Sequence, residues 1–322
     1  MRFKAIALIV FALFAPHLTA DERLKLRLSF DAPATDQRSI ALMEKFKPGV
    51  MPFADFEPHW NGTLFRQGTE LIAVARGNLD MTITSAQQLA EFIPEFSIFT
   101  AGYVHRDATH QISVFNDPLM QPFKDRAETV LGVKLLAVMY LGRRQLNLRT
   151  DQKIMTPEDL QGVKLRMPGS ATWQFLGKAL GASPTPMAFS EVYTALQTGA
   201  VDGQDNPLPT VVNSRFYEVT KQIILTSHIV DLNYIAFSKV IWDGLTEHQQ
   251  KAVESAAVAA AEYGRQNQLK LETELATYLA EQGIRIYEPD LAAFRSRAQQ
   301  MYQSSDYAAN WPPGLLEKIN GL

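Results

Sequence analysis

The sequence of 322 residues contains no cysteine. The protein therefore forms no disulfide bond, has no cysteine nucleophile and cannot carry the lipid of a lipoprotein anchor. A chain of this length buries a large enough fraction of its surface to be stable without such cross-links. We expect a globular protein that divides into two lobes.

Excess positive charge and long hydrophobic runs are also absent. The formal net charge is −3, and an acidic balance argues against a nucleic-acid partner, which needs a basic surface. Beyond the N-terminus, no apolar stretch reaches the roughly 20 residues that cross a bilayer. We predict neither nucleic-acid binding nor a membrane span.

The N-terminus has the pattern of a secretory signal peptide. Arg2 and Lys4 precede an apolar stretch at 5–15, and Ala20 ends a short segment that suits cleavage. The apolar stretch is too short to span a membrane. We predict that residues 1–20 are a signal peptide and that the mature protein is exported to the bacterial periplasm.

Motifs typical of enzymes and cofactor sites are missing. The sequence has no Gly-x-Ser-x-Gly, no phosphate-binding loop and no Gly-x-Gly-x-x-Gly. His105 and His110 lack the i, i+4 spacing of a helical metal pair, and solvent exposure on a loop is the favoured interpretation. Asp80, Glu91 and Glu95 are not distinguished from ordinary surface carboxylates. We expect no enzymatic activity, no metal and no cofactor.

Alternation and helical periodicity predict an α/β fold. Strands are predicted at 24–30, 53–60 and 79–84, with helices ending near Phe46 and covering 63–76 between them. Strands that alternate with helices in this order pair in parallel through helical crossovers.

One segment predicts an unusually long helix. Thr246 and Gln249 form a capping box, and helical periodicity continues to Gly283. The segment of about 37 residues would be about 55 Å long at 1.5 Å per residue. Because that length exceeds the diameter of one small lobe, we predict that the helix runs along both lobes.

A strand-turn-helix segment at 163–170 carries the most informative candidate for a site residue. Arg166 lies at the carboxyl end of the predicted strand, before the turn at Pro168 and Gly169. In open α/β sheets, ligands bind outside the carboxyl ends of strands. A guanidinium there matches a carboxylate with two parallel hydrogen bonds. We therefore predict a receptor for a small organic anion; the alternative is an arginine on the surface.

Arg144 is the second candidate for binding an anion. It follows an apolar strand predicted at 133–140, and in a parallel sheet it could share one crevice with Arg166 as a two-point carboxylate clamp. The alternative for Arg143, Arg144 and Arg149 is solvent-exposed charge without a ligand.

Three neutral side chains are further candidates from local sequence. Asn206, at a strand-to-turn junction, offers donors and an acceptor to a ligand oxygen, although asparagine before proline is also a common turn residue. Phe189 and Trp173 could pack against the carbon frame of a ligand, and the alternative for both is the hydrophobic core.

Three longer motifs are far more specific. They are Met155-Thr-Pro-Glu-Asp-Leu-Gln-Gly-Val-Lys-Leu-Arg-Met-Pro168, Gly181-Ala-Ser-Pro-Thr-Pro-Met-Ala-Phe-Ser-Glu-Val-Tyr193 and Ala195-Leu-Gln-Thr-Gly-Ala-Val-Asp-Gly-Gln-Asp-Asn-Pro207. With these motifs the sequence resembles the solute-binding proteins of tripartite ATP-independent periplasmic (TRAP) transporters. The resemblance covers nearly the whole mature chain and is weaker before about residue 130.

The resemblance implies a two-lobed α/β periplasmic-binding-protein fold, type II-like, with an interlobe cleft and a long helix that spans both lobes. It places residues 21–141 and about 232–271 in the N-terminal lobe. Residues 142–231 and about 272–322 then form the C-terminal lobe.

The resemblance also implies roles for four residues. Arg166 corresponds to the arginine that pairs with the ligand carboxylate, Asn206 to an asparagine that helps bind it, and Phe189 to an aromatic residue that lines the pocket. The Gly-x-Arg-Gln pattern at 142–145 places Arg144 at a second binding position.

Sialic-acid receptors are the branch that the middle of the sequence most resembles. They carry an acidic residue and an arginine in the first lobe, at positions that align with Ser85 and Gln88. Neutral groups thus replace two charged contacts, which favours a smaller hydroxylated monocarboxylate such as a uronate or an aldonate. Sialic acid, a keto acid and a dicarboxylate are alternatives.

Asn233, in a strand-like segment at 229–240, is a further candidate ligand-binding residue.

The resemblance implies a receptor that closes its lobes on the ligand, performs no covalent chemistry and docks transiently on the membrane subunits of a TRAP permease. Two alternatives stay open. One is an exported enzyme that acts on a carboxylated sugar, and the other is a sensory binding protein that presents its ligand to a membrane receptor.

Overall fold

The computed structural model describes residues 23–322. The predicted signal peptide, residues 1–20, lies outside the described residues. The strands are β1 (Leu24–Ser29), β2 (Ala54–His59), β3 (Met81–Ser85), β4 (Val133–Leu148), β5 (Lys164–Met167), β6 (Ser183–Pro186), β7 (Gly203–Asn206), β8 (Gln222–Ser238) and β9 (Arg285–Tyr287).

The helices surround this sheet, and a π-helical stretch joins the first two of them. They are α1 (Gln37–Ala41), α2 (Lys47–Val50), α3 (Glu70–Ala75), α4 (Ala86–Ala90), α5 (Ala108–Asn116), α6 (Gln121–Leu131), α7 (Ala171–Ala179), α8 (Val192–Thr198), α9 (Leu208–Asn213), α10 (Lys239–Gly244), α11 (Glu247–Glu281), α12 (Leu291–Gln303), α13 (Asp306–Ala309) and α14 (Leu315–Gly321).

One mixed sheet contains these strands in the order β2-β1-β3-β8-β4-β7-β5-β6, and β9 pairs with β8. β1 pairs in parallel with β2 and with β3, which confirms the predicted parallel pairing. In the other half of the sheet, β5 pairs in parallel with β6 and β7. Each half therefore has the strand arrangement of an α/β lobe.

The two long strands β4 and β8 join the halves. They pair antiparallel along most of their length, with an irregular register between Tyr140 and Gly142. One end of β8 pairs with β3, and the far end of β4 pairs with β7. The strand predicted to end at Tyr140 continues to Leu148, because β7 and β8 provide hydrogen-bonding partners along that length.

The predicted long helix is present. α11 has 35 residues, and Thr246 and Gln249 form the predicted capping box at its start. Its Ala257 and Ala260 pack in the core around β1 and β3, whereas its Leu279 packs in a separate core with residues of α8 and α9. The helix therefore spans both lobes. No helix in residues 23–322 is both long and apolar enough to cross a membrane.

The helix predicted at 63–76 is wrong over its first half. α3 begins only at Glu70, after a turn in which Gly68 has a φ of 93°. A backbone in this left-handed region does not continue a right-handed helix. The carboxylate of Glu70 accepts a hydrogen bond from the backbone N–H of Gly68 at 2.7 Å, which stabilises the turn.

The predicted solvent exposure of His105 and His110 is wrong, because both side chains are buried. His110 lies in α5, and its Nε2 is 2.7 Å from the carbonyl oxygen of Ile319 in α14. The His105 ring stacks on Phe99. Burial, with a smaller contribution from His110, lowers the pKa of His105 to about 3. The pair therefore belongs to the packed interior, where tertiary contacts decide its environment.

Asp80 is also not the surface carboxylate that the sequence predicts. Its side chain is buried and accepts hydrogen bonds from the backbone N–H of Arg27 at 2.7 Å and from the guanidinium at 3.1 Å. Glu91 is exposed, as predicted, and Glu95 is half-buried. Asp80 thus connects β1 to the start of β3.

The segment after α11 packs against elements of both predicted lobes. The Tyr302 hydroxyl donates to the carbonyl oxygen of Thr100 at 3.1 Å, and Nε1 of Trp311 donates to Oγ of Ser97 at 3.0 Å. Tyr302 also contacts Phe175 of α7 edge to face, with ring centroids 4.8 Å apart. The C-terminal helices therefore support the side of the molecule where the two lobes meet.

Candidate ligand-binding site

The residues predicted for the ligand site surround one cavity between the two lobes. All of them line it: Ser85, Gln88, Arg144, Arg166, Trp173, Phe189, Asn206 and Asn233. The cavity, with the open space at its mouth, has a volume of about 540 Å³. It lies at the carboxyl ends of β1, β3, β5 and β7, where the strand-end rule predicts a ligand. That these residues contact a ligand stays a prediction.

Arg166 is a buried cation without an ion-pair partner. Only 1% of its surface is exposed, so the alternative of a surface arginine is wrong. Its Nε and Nη2 donate to the carbonyl oxygen of Met187 at 3.0 and 2.8 Å, and Nη2 also donates to Oε1 of Gln67 at 2.8 Å. No carboxylate in residues 23–322 lies within 4.0 Å of the guanidinium. Burial lowers the pKa of Arg166 to about 10, against the opposing effect of Asp205, and the side chain is protonated at neutral pH.

Arg144 is buried as well, but its charge is compensated. Its Nε donates to Oδ2 of Asp231 at 2.6 Å, and its Nη1 lies 3.1 Å from Oδ2 of Asp205. Burial would lower the pKa of Arg144, and these two carboxylates outweigh it and raise the pKa. The guanidinium also lies 4.5 Å from the ring centroid of Trp173. The alternative of solvent-exposed charge is wrong for Arg144, whereas Arg143 and Arg149 are half-buried away from the cavity.

A chain of buried polar groups fixes Asp205 beneath Arg144. His228 Nε2 lies 3.1 Å from Oδ2 of Asp205, and His228 Nδ1 lies 2.7 Å from the hydroxyl of Thr226. Burial alone would raise the pKa of Asp205, but Arg144 and the hydrogen bond from His228 lower it. The network therefore holds Arg144 in place, and its aspartates accept hydrogen bonds from part of the Arg144 guanidinium.

The second lobe also contributes amide and aromatic groups. Nδ2 of Asn206, the last residue of β7, donates to Oε1 of Gln204 at 2.6 Å, which leaves Oδ1 toward the cavity without a protein partner among the described residues. The Phe189 ring centroid lies 5.7 Å from the guanidinium carbon of Arg166. Trp173 is 3% exposed, so it belongs both to the hydrophobic core and to the cavity wall.

The first lobe presents neutral groups where the sequence predicts them. Ser85 caps α4, because its Oγ accepts from the backbone N–H of Gln88 at 3.3 Å. The hydroxyl of Thr84 donates to Oε1 of Gln88 at 2.7 Å. The Ser85 hydroxyl hydrogen and Nε2 of Gln88 are then available as donors.

Asn233 lies at the cavity wall beside an arginine that the sequence did not reveal. Its Oδ1 accepts a hydrogen bond from Nη1 of Arg38. Arg38 in turn forms two hydrogen bonds with the carboxylate of Asp36, at 2.8 and 2.9 Å. Its guanidinium lies 4.6 Å from the ring centroid of Phe30. Arg38 is therefore compensated, like Arg144.

Asp31 and Gln67 line the cavity and were not among the predicted residues. Asp31 comes two residues after the end of β1, so the strand-end rule that singles out Arg166 could have found it. Gln67 lies in the turn before α3 and carries no local signal. Its Nε2 donates to Oδ2 of Asp31, and its Oε1 accepts from Arg166 and from the backbone N–H of Phe189 at 2.9 Å.

Direct contacts close the cleft. Besides the bonds of Gln67, they are Arg66–Glu191 at 2.6 Å, Thr172 Oγ1 to the Gln87 carbonyl oxygen at 2.9 Å and the Ala171 N–H to Glu91 at 3.0 Å. Each joins an element of the first half to an element of the second. The arrangement is a closed conformation in which Arg166 lies at the interface between lobes.

A fold of two α/β lobes joined by crossing strands, with a charged cavity between them, is typical of proteins that close around a small solute. The family model for bacterial extracellular solute-binding proteins, family 7, matches residues 49–308, and the chain belongs to this family. It is a solute-binding protein of the TRAP type, which confirms the prediction from the three motifs.

Characterised relatives and solved structures extend over most of the chain. The sialic acid-binding periplasmic protein of Vibrio cholerae is 34% identical over 76% of this chain and 75% of its own length. A TRAP periplasmic solute-binding protein of Roseobacter denitrificans, solved with bound 3-deoxy-D-manno-oct-2-ulosonic acid (KDO), is 60% identical, with a TM-score of 0.92 over 93% of this chain and 99% of that one. Another from the same organism, solved with L-galactonate, is 30% identical, with a TM-score of 0.83 over 93% and 98%.

Proposed function

We propose that this protein captures a sugar acid in the interlobe cleft and delivers it to a TRAP permease. The observation that carries the proposal is the guanidinium of Arg166, which is buried and has no carboxylate partner among the described residues. A buried charge without a partner is destabilising. A ligand carboxylate would supply the missing charge and two or more acceptors.

The second lobe would hold the carboxylate end. Nη1 of Arg166 and Nη2 of Arg144 have no hydrogen-bond partner among the described residues, so both are available to ligand oxygens. Because Arg144 already pairs with two carboxylates, it would contribute a donor rather than an unpaired charge. Asn206 Oδ1 would accept from a hydroxyl near the carboxylate, and Phe189 and Trp173 would pack against the ligand carbons.

The first lobe would recognise hydroxyl groups. Ser85 and Gln88 offer neutral donors, and Asn233 lies beside them on the cavity wall. Closure excludes water from these hydrogen bonds, which strengthens them by lowering the local dielectric constant. The neutral groups of Ser85, Gln88 and Asn233 support a hydroxylated ligand with its charge concentrated at one end.

The relatives favour a sugar acid and point to one subclass. The structure that is 60% identical contains KDO, an eight-carbon acid with one carboxylate and several hydroxyls. Structures that are 30% and 26% identical contain L-galactonate and L-gulonate. We therefore place a KDO-like acid first among ligands, ahead of the uronates and aldonates that the neutral residues alone favour.

The lobe boundaries and the cellular site are part of the same proposal. We assign residues 21–141 and about 232–271 to one lobe, and residues 142–231 and about 272–322 to the other. The irregular register at Gly142 supports the first boundary. The C-terminal helices, which belong to the last assigned segment, contact both lobes. Export to the periplasm after removal of residues 1–20 is supported by the periplasmic relatives.

A binding panel tests the proposal directly. KDO, D-galactonate, D-galacturonate and sialic acid are added to the mature protein, and melting temperature and calorimetric heat are measured. A ligand that binds the folded state raises the melting temperature by mass action. We expect stoichiometric binding of at least one sugar acid, without product in the mixture after incubation.

Arg166→Ala should weaken that binding by about 2–5 kcal/mol, the cost of removing one partner of a buried charge pair. Arg166→Lys keeps the charge but loses the planar fork, so its loss should be smaller. Arg126→Ala, a surface arginine on α6, is the matched control and should bind normally. Normal affinity in Arg166→Ala, or turnover of a bound acid by the wild type, would contradict the proposal.

A further inference from the structure

Asp31 is an anion in the cavity without a cationic partner. It belongs to the first lobe and lines the same cavity as Arg166. Its Oδ2 accepts from Nε2 of Gln67, whereas its Oδ1 has no hydrogen-bond partner in residues 23–322. No lysine, arginine or histidine nitrogen in this part of the chain lies within 4.0 Å of the carboxylate. The amide of Gln67 therefore connects an unpaired anion, Asp31, to an unpaired cation, Arg166.

The other charges of the cavity wall are already compensated. Arg38 pairs with Asp36, and Arg144 pairs with Asp205 and Asp231. Because both arginines already have carboxylate partners, neither has an unpaired positive charge to offer a further anionic group. One ligand carboxylate thus has a partner in Arg166, and a second one would have none.

Glu70 is a second buried acid, close enough to Asp31 for the two carboxyl groups to repel each other. Burial, with added repulsion from Asp31, raises the pKa of Glu70 to about 8. Burial also raises the pKa of Asp31, but Arg38 and Arg166 oppose that rise. The two arginines favour the carboxylate form of Asp31, whereas at Glu70 only backbone N–H donors oppose the effect of burial.

We propose that Asp31 selects sugar acids with a single carboxylate and excludes dicarboxylates. Its Oδ1 would accept a hydrogen bond from a hydroxyl at the end of the ligand remote from Arg166. A hydroxyl supplies the donor that Oδ1 lacks. A second ligand carboxylate brings only acceptors and a like charge into a space of low dielectric constant, where the repulsion is strong. This inference rests on the proposed capture of a sugar acid at the same cleft.

D-galactonate and galactarate provide a matched pair of probes, because they share one carbon chain and differ in a terminal hydroxymethyl or carboxylate group. Dissociation constants of both acids and of KDO are measured by calorimetry for the wild type and for Asp31→Asn. Asparagine keeps one acceptor oxygen, for Gln67, places a neutral amide donor at the position of Oδ1 and removes the charge that repels a second carboxylate. We expect the wild type to bind the tighter of D-galactonate and KDO at least 100-fold more tightly than galactarate. Asp31→Asn should reduce this ratio of dissociation constants at least tenfold.

Asp55→Asn is the control for charge removal, since Asp55 lies on the neighbouring strand β2 in an exposed pair with Arg23. This variant should leave the ratio unchanged. Asp31→Ser replaces Asp31→Asn if the latter does not fold, as judged by thermal unfolding without ligand.

Two results would overturn this inference and leave the proposed function intact. One is tight monocarboxylate binding with an unaltered ratio in the Asp31 variant, and the other is a wild-type affinity for galactarate equal to that for the monocarboxylate. If the wild type binds neither monocarboxylate, the proposed function fails, and the selectivity inferred for Asp31 fails with it.

Discussion

At the scale of single residues, the three buried arginines of the cleft differ in what balances their charge. Arg38 has the carboxylate of Asp36, and Arg144 is compensated by two aspartates, whereas Arg166 has only neutral acceptors among the described residues. Burial costs an unpaired charge several kcal/mol. The difference in partners, rather than the presence of arginine, is what makes Arg166 the proposed anion-binding residue.

Replacing Glu70 should remove a pH dependence of stability. An unfolded glutamate loses its proton near its ordinary pKa of about 4.3, but the folded protein retains it up to a pKa of about 8. The folded state therefore binds more protons between these values, so its stability falls as the pH rises from about 5 to about 8. The slope is at most about 1.4 kcal/mol per pH unit.

Urea unfolding at pH 5, 6.5 and 8 measures this effect. The wild type should lose stability across the series relative to Glu70→Gln, which stays neutral throughout. A constant difference between the two proteins over this range would mean that Glu70 is already ionised in the folded state.

The sequence predicts which side chains reach the cavity where their position at the end of a strand is enough to place them there. Asn206 is the last residue of β7 and Arg166 the last but one of β5, and both reach the cavity for that reason; Asp31, just beyond β1, obeys the same rule. The burial of Arg144 could not be predicted, because its aspartate partners lie 61 and 87 residues away in sequence. His105 is a similar case, since its neighbours, and not its local pattern, bury it.

At the scale of elements, the crossing of β4 and β8 is fastened to α11. Glu272 accepts from the Tyr140 hydroxyl at 2.7 Å and from the backbone N–H of Arg143 at 2.5 Å. Gly142 lies between them with a φ of 125°. A Cβ at this position would lie 2.6 Å from the Glu272 carboxylate and 2.7 Å from Cβ of Pro207, so only glycine fits.

Gly142→Ala should therefore destabilise the protein by about 2 kcal/mol or more, because the backbone conformation and the close contacts both disfavour a side chain. Urea denaturation measures the change. Gly244→Ala is the control, since a Cβ there meets nothing within 4 Å and the residue has no positive φ, and it should change stability by less than about 0.5 kcal/mol. Equal effects of the two substitutions would contradict the steric explanation.

Helices whose ends and periodicity are visible in the local sequence could be predicted. The capping box at Thr246 and the periodicity that follows it define α11, and α7 begins directly after the predicted strand-turn-helix segment at 163–170. The extension of β4 to Leu148 and the late start of α3 could not be predicted, because partner strands and one glycine turn decide them. Pairing between distant segments is not encoded in local periodicity.

At the scale of the whole molecule, the lobes meet through few polar contacts. Within the described residues, the hydrogen bonds across the cleft are those of Gln67, the rim pair Arg66–Glu191 and the contacts of Gln87 and Glu91 with the start of α7. Exposed ion pairs contribute little, commonly below about 1 kcal/mol. The closed arrangement therefore depends on what occupies the position beside Arg166.

Ligand binding should make the molecule more compact in solution. In the proposed function, the ligand carboxylate would neutralise Arg166 at the lobe interface and so favour closure. Small-angle X-ray scattering with and without KDO or D-galactonate measures the radius of gyration, which should decrease for the wild type. Arg166→Ala at the same ligand concentration should show no change, and stoichiometric binding without compaction would contradict lobe closure.

The path of the chain through β4, β8 and α11 has a further consequence. Each lobe is assembled from stretches that are far apart in sequence, and the connecting elements are the two longest strands and the longest helix among the described residues. A single cut in the polypeptide therefore cannot release one lobe as an autonomous unit, since both fragments would carry incomplete hydrophobic interiors. Two such fragments should recover structure only by associating, which makes this receptor a candidate for split-protein complementation rather than for expression of an isolated half.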